Sequence, residues 1–182
     1  MHLQNHFLIA VPQTERDYFS SSLIFICEHT DDGAVGFVIN QPSDILLNEL
    51  LYQANLKVNR DLYENRILAG GPVATDQCFS LHSPDFIYAS SKKITDSLYL
   101  TNGWETLQAI SVEKGPNKFE IALGYAGWGP GQLENEIARN IWVTVEASNT
   151  ILFEANYENR RTLATQEIGL DLDMLSNIPG HA

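Results

Sequence analysis

An apolar run from Phe119 to Tyr125 feeds directly into Gly124-Tyr125-Ala126-Gly127-Trp128-Gly129-Pro130-Gly131-Gln132-Leu133-Glu134. A chain written this way must make a fixed corner between a strand and a helix. Glycine has no Cβ, so its backbone adopts positive φ and tolerates close neighbours. The pattern predicts a strand over Phe119 to Tyr125 and a helix over Pro130 to Asn140. Gly129 is the expected N-cap and Pro130 the first helical residue, where a missing N–H costs nothing. Gln132 stands where a capping-box partner would reach back. The candidate site for an anion or ligand is this corner, Gly127, Trp128, Gly129, Gly131 and Gln132, because a helix start presents unpaired N–H groups. It is not a dinucleotide fingerprint: Gln132 occupies the third glycine position, and Glu134 and Glu136 repel phosphate. The alternative is a purely structural turn.

Elsewhere the chain alternates short apolar runs with turn residues. His6 to Val11, ended by Pro12, reads as a buried strand, and Leu23 to Cys27 as a strand buried on both faces. Asp31-Asp32-Gly33 signals a hairpin turn, with Ala34 to Asn40 as the return strand and Gly36 as a bulge or close approach. Leucines at 46, 47, 50 and 51 predict a helix over Ser43 to Asn55. Ile67 to Val73, Gln77 to His82, Ile87 to Ala89 and Ile94 to Leu100 read as strands. Trp104, Leu107 and Ile110 predict a helix over Asn102 to Glu113. Trp142 to Glu146 reads as a strand, Ile151 to Phe153 as its continuation, Tyr157 to Glu167 as a helix, and Leu170 to Ser176 as one short turn before a loose tail. Strands outnumber helices, and helices interrupt the strands irregularly. The expected class is α+β: a curved mixed sheet or partly open β-barrel flanked by helices, in a single domain over residues 1–182.

Composition narrows the function. The 182 residues carry 23 acids against 11 bases, a net charge of −12. Affinity for nucleic acid comes from Lys and Arg on phosphates, so direct DNA binding is disfavoured, as is an anionic membrane. Lys92-Lys93 and Arg160-Arg161 are the close basic pairs, and neither grows into a patch. No window has the ~18 apolar residues of a membrane helix. Two cysteines make no disulfide framework and point to a reducing, cytoplasmic setting.

His29, Asn40 and His82 form the candidate polar cluster, each at the end of an apolar strand where side chains leave the core. The alternative is that they tie strand ends by hydrogen bonds to backbone. Strand parity puts Cys27 with His29 and Cys78 with His82 on shared faces. Two Cys and two His are the ligand types of a tetrahedral metal site, but their spacing matches no metal motif, and neither a metal nor a cofactor is expected. Cys27 with His29 or His82 as base would be a nucleophile pair, were it not inside an apolar run. No Gly-x-Ser-x-Gly elbow exists. The readings that remain are a regulatory domain that binds a small ligand or a protein partner, or a hydrolase-like enzyme built on the His/Asn cluster and the glycine corners.

Several segments together resemble the AlgH/YqgE family of bacterial proteins. They are Phe7-Leu8-Ile9-Ala10-Val11-Pro12, Ile26-Cys27-Glu28-His29, Gly33-Ala34-Val35-Gly36, Val38-Ile39-Asn40-Gln41-Pro42, Gly70-Gly71-Pro72-Val73, Leu81-His82-Ser83, Gly124-Tyr125-Ala126-Gly127-Trp128 and Gly131-Gln132-Leu133-Glu134. The resemblance spans residues 3 to about 155. It implies a compact α+β domain with a barrel-like sheet and a cytosolic protein without an established enzymatic activity. Some members of that family are labelled transcriptional regulators, but no helix-turn-helix is legible in this chain.

Overall fold

Near-continuous apolar runs can be strands only where both faces are covered, and β1 (His6–Ala10) is such a strand. Phe7, Leu8 and Ile9 are fully buried, between β2 (Leu23–Thr30) on one edge and β10 (Trp142–Glu146) on the other. The computed structural model describes residues 2–12, 18–58, 62 and 65–169. Contacts group the chain into two compact units, Met1–Gln41 with Ala126–Ala182, and Pro42–Tyr125.

In the first unit the strand order is β10, β1, β2, β3 (Gly33–Val38) and the end of β9 (Phe119–Trp128), all antiparallel. Asp31 and Asp32 turn the β2–β3 hairpin, with Thr30 opposite Gly33. Gly33 has φ +129°, and a Cβ there would lie 2.1 Å from the Trp128 carbonyl oxygen, so only glycine lets β9 close on the hairpin. Leu8, Ile24, Ile26, Trp128, Leu133 and Trp142 pack as one core. Among the described residues of this unit are the helices α3 (Gln132–Ala138), α4 (Asn149–Phe153) and α5 (Tyr157–Glu167). From α5 the buried Arg160 donates to the Ile39 and Ala155 carbonyls and lies over the Tyr157 ring. Its charge is thus met by carbonyl dipoles and an aromatic face.

The second unit orders its strands β4 (Pro42–Leu46), β5 (Arg66–Ala69), β9, β6 (Val73–His82), β8 (Leu98–Asn102) and β7 (Lys92–Thr95). The β5–β9 pair is parallel and its neighbours antiparallel, so the pairing is mixed. Among its described residues are the helices α1 (Leu47–Gln53) and α2 (Gly103–Ser111). Leu47, Leu51, Ile67, Leu107, Ile110 and Ile121 make its core. The fold is α+β.

Several boundaries differ from the sequence reading, each for a local reason. The glycine run does not end its strand: β9 continues to Trp128 because Ala126, Gly127 and Trp128 pair with β3. The N-cap is therefore Gly131, at φ +71°, and not Gly129; Pro130 precedes the helix and α3 ends at Ala138. Residues 42–46 are strand β4, drawn extended by pairing with β5, so the helix over Ser43 to Asn55 begins only at Leu47. Ile87 to Ala89 lies in a loop. Ile94 to Leu100 is not one strand but the end of β7 and the start of β8, with Asp96 and Ser97 turning the hairpin between them. Ile151 to Phe153 is helix α4, with Ile151 and Leu152 buried. The turn at Leu170 to Ser176 lies outside the described residues.

Candidate functional site

The glycine corner is occupied by its own side chains. The Gln132 side chain reaches back so that Oε1 accepts from the Gly129 N–H at 3.1 Å, the capping contact expected of it. Its Nε2 donates to Glu136 Oε1 at 2.9 Å. Glu136 Oε2 accepts both indole N–H groups, Trp128 at 2.8 Å and Trp142 at 2.7 Å, and the two rings meet edge to face. One carboxylate thus fastens the end of β9 and the start of β10 to α3. Buried indole N–H groups require an acceptor, and a charged one gives the stronger bond.

His29 joins the same corner. It is 4% exposed near the end of β2. Its Nδ1 accepts from the Leu3 N–H at 3.1 Å, which assigns the proton to Nε2, the donor to Glu134 Oε1 at 2.9 Å. Glu134 stands in the first turn of α3, and its own backbone N–H, aided by His29 and opposed by desolvation, holds its carboxyl below the ordinary range. Both ring nitrogens of His29 are committed. Cys27 does not share its face in register, because a bulge between Ile26 and Glu28 breaks the parity; the buried Cys27 Sγ donates to the Val35 carbonyl.

Asn40 sits at the other end of β2. Its Oδ1 accepts from the Leu23 N–H at 2.8 Å and its Nδ2 donates to the Ser21 carbonyl at 2.9 Å, which holds a loop where Ser21 takes φ +70°. Leu23 and His29 are six residues apart along the strand, roughly 20 Å. The fold therefore brings His29 to the glycine corner and leaves Asn40 away from both.

His82 belongs to the second unit and has a separate network. It is fully buried. Nδ1 donates to the Ser83 carbonyl at 2.9 Å, so Nε2 accepts from Thr101 Oγ1 at 2.6 Å. Thr101 Oγ1 lies 2.7 Å from Ser91 Oγ, which accepts the Tyr88 N–H at 2.8 Å. Tyr99 stacks on the imidazole and Tyr88 meets it edge-on. Burial pushes the His82 pKa below its ordinary value, against the pull of the Ser83 carbonyl and the Asp85 charge. Asp85 accepts from Ser83 Oγ and from the Asn117 N–H.

Thr101 also lines a cleft of about 570 Å³ within this unit. Phe79, Cys78 and Leu100 give it an apolar floor; Asp76, Lys92 and Trp104 supply its chemically distinctive walls. Trp104, on the first turn of α2, is 45% exposed, while Trp128 and Trp142 are buried. Burial pushes the Cys78 thiol up to about 12, so it stays protonated and serves as a wall. The sequence reading missed this site. Trp104 fitted a helix core by its spacing, and Asp76 and Lys92 carry no motif. Among the described residues, no group of three or more His, Cys, Asp or Glu side chains is placed to hold a metal ion.

A family model described as AlgH-like matches residues 7–173. A UPF0301 protein of Shewanella denitrificans is 41% identical over 98% of each chain. One from Vibrio atlanticus is 41% identical over the full length of both. The solution structure of the AlgH protein from Pseudomonas aeruginosa matches with a TM-score of 0.82 at 38% identity, covering all of this chain and 97% of that one. A crystal structure of a Corynebacterium diphtheriae protein, at 17% identity and TM-score 0.76, shares the fold over 98% of this chain and 93% of its own.

Proposed function

The chain belongs to the AlgH-like family, and from that premise we propose that it is a non-enzymatic cytoplasmic domain that acts in regulation by binding a ligand or partner in the second-unit cleft. One observation carries this reading: the cleft at Trp104 is open, apolar-floored and edged by charge, in the size range of small-molecule sites. By contrast, His29, Asn40 and Glu136 spend their hydrogen-bonding capacity inside the fold. A cytoplasmic setting is supported by the chain's two cysteines, neither of which is in a disulfide. No helix among the described residues is long and apolar enough to cross a membrane.

A hydrolase-like reading has one observation in its favour, the 2.6 Å contact between Thr101 Oγ1 and His82 Nε2, the geometry of a hydroxyl beside its base. Thr101 is 1% exposed, so an electrophile has no approach to that oxygen, and the binding reading stands ahead. A thermal-shift screen of metabolites and peptides, with hits mapped by backbone amide NMR, tests it. Binding shifts centred on residues 76–79, 90–92 and 100–104 are expected. A library without a hit, or hits that map away from these residues, overturns the cleft as the site.

A further inference from the structure

Resting on the cleft as the binding site, we propose that its ligand is an organic ammonium ion with an apolar body, taken up against the Trp104 ring with its charge toward Asp76.

Backbone packing brings these two groups to one place. Gly103, the first residue of α2, lies directly on β6: a Cβ there would be 2.8 Å from the Cys78 carbonyl carbon and 2.9 Å from the Phe79 nitrogen. Trp104 is the next residue of the helix, and Asp76 stands two residues before Cys78, at most about 7 Å of chain away. Both side chains are exposed and both line the cleft. Among the described residues, no ion pair or hydrogen bond holds the Asp76 carboxylate. Glu105 places a second carboxylate beside the cleft, where it accepts from the Ser90 N–H at 3.2 Å and from Ser90 Oγ. Those donors are neutral, so its charge remains. Lys92, the cation among the lining residues, already has a partner within the chain. In a chain of net charge −12, this edge attracts cations and repels anions.

The rest of the cleft selects the body that carries the charge. Phe79, Leu100 and the protonated Cys78 form an apolar floor, and the exposed Trp104 ring offers the aromatic face to which a cation binds best. Polar groups beside them are taken up by the fold. Thr101 Oγ1 lies against His82 and Ser91, and Asn102 Oδ1 accepts the Trp104 N–H. A sugar would therefore find few partners, and a bare ammonium ion would leave the floor uncovered. An ammonium group on an apolar body uses both the floor and the charge.

Calorimetry and backbone amide NMR with a matched series test the proposal: phenethylammonium, its neutral counterpart 2-phenylethanol, the anion 3-phenylpropionate, and ethylammonium, which lacks the ring. At pH 7 phenethylammonium should bind saturably in the millimolar range, with shifts centred on residues 76–79 and 100–104. It should bind about tenfold more tightly than the alcohol or ethylammonium, and the anion should not bind. Asp76→Asn should bring the cation close to the alcohol and leave the alcohol unchanged, and Trp104→Ala should weaken the cation about fivefold. Both positions are exposed, and circular dichroism checks that the fold persists. No saturation by phenethylammonium overturns the proposal. So do the alcohol or the anion binding as tightly, ethylammonium matching it, or the two variants being without effect. A neutral or anionic hit that maps to the cleft in its place would leave the binding domain standing and remove the cation. No cleft ligand of any kind would remove both.

Discussion

His82 shows how much one buried side chain sets. With Nδ1 donating to Ser83 and Nε2 accepting from Thr101, the imidazole fits its site only as the neutral tautomer. Burial lowers its folded pKa below the ordinary 6.5, so between those two values the unfolded chain holds the extra proton. Its contribution is therefore complete above pH 6.5 and is lost as pH falls from 6.5 through the lowered folded value. One such group steepens the stability–pH curve by at most about 1.4 kcal/mol per pH unit. Urea midpoints from pH 7.5 to 4.5 should show this limb in the native chain, and His82→Gln should flatten it whatever its effect on stability at pH 7.5. Equal slopes for the two proteins would show that His82 does not drop below its ordinary value on folding. The ordered, apolar surroundings of His82 were not legible in Leu81-His82-Ser83. Its partner Thr101, which in turn contacts Ser91, is distant in sequence, and only the β6–β8 register, Ser80 abreast of Thr101 and His82 of Tyr99, sets them together.

At the scale of elements, glycines and one carboxylate hold the joints. Gly33 and Gly131 both take positive φ, yet their surroundings differ. A Cβ on Gly33 meets the Trp128 carbonyl at 2.1 Å, whereas Gly131 has nothing within 4 Å. Gly131→Ala should cost only the left-handed backbone penalty, about 1–2 kcal/mol. Gly33→Ala should cost more, about 3 kcal/mol or above, because β9 must retreat from the hairpin as well. Chemical denaturation of both variants checks the order, and equal losses would mean the hairpin can yield. The corner itself was partly legible. Gly and Pro spacing predicts a bend before a helix, and the position of Gln132 predicts its capping contact with Gly129. The helix start moved from Pro130 to Gln132 because pairing with β3 extended β9. Likewise 43–46 reads as the first turn of a leucine-rich helix, and pairing with β5 makes it part of strand β4. Strand pairing is a long-range contact that local periodicity cannot register.

For the whole molecule, charge excludes more than it assigns. A net charge of −12 leaves too few cations to neutralise a run of phosphates, so gel-shift titration with duplex DNA at about 0.15 M salt should show no retardation. Retardation that weakens steeply with added salt would overturn this and revive a literal DNA-binding role. Acidity, the α+β class, the buried apolar strands, the glycine corner and the family were fixed by residue types at short spacing, because charge, period and backbone permissiveness are local properties of the chain. The cleft was decided only in three dimensions. Trp104 looks like any core aromatic until α2 is seen to leave it half in solvent, and Asp76 and Lys92 line one cleft only because β6 and β7 both pair with β8. Exposure and the distance between strands depend on which segments pair, and pairing is settled by the folded chain as a whole.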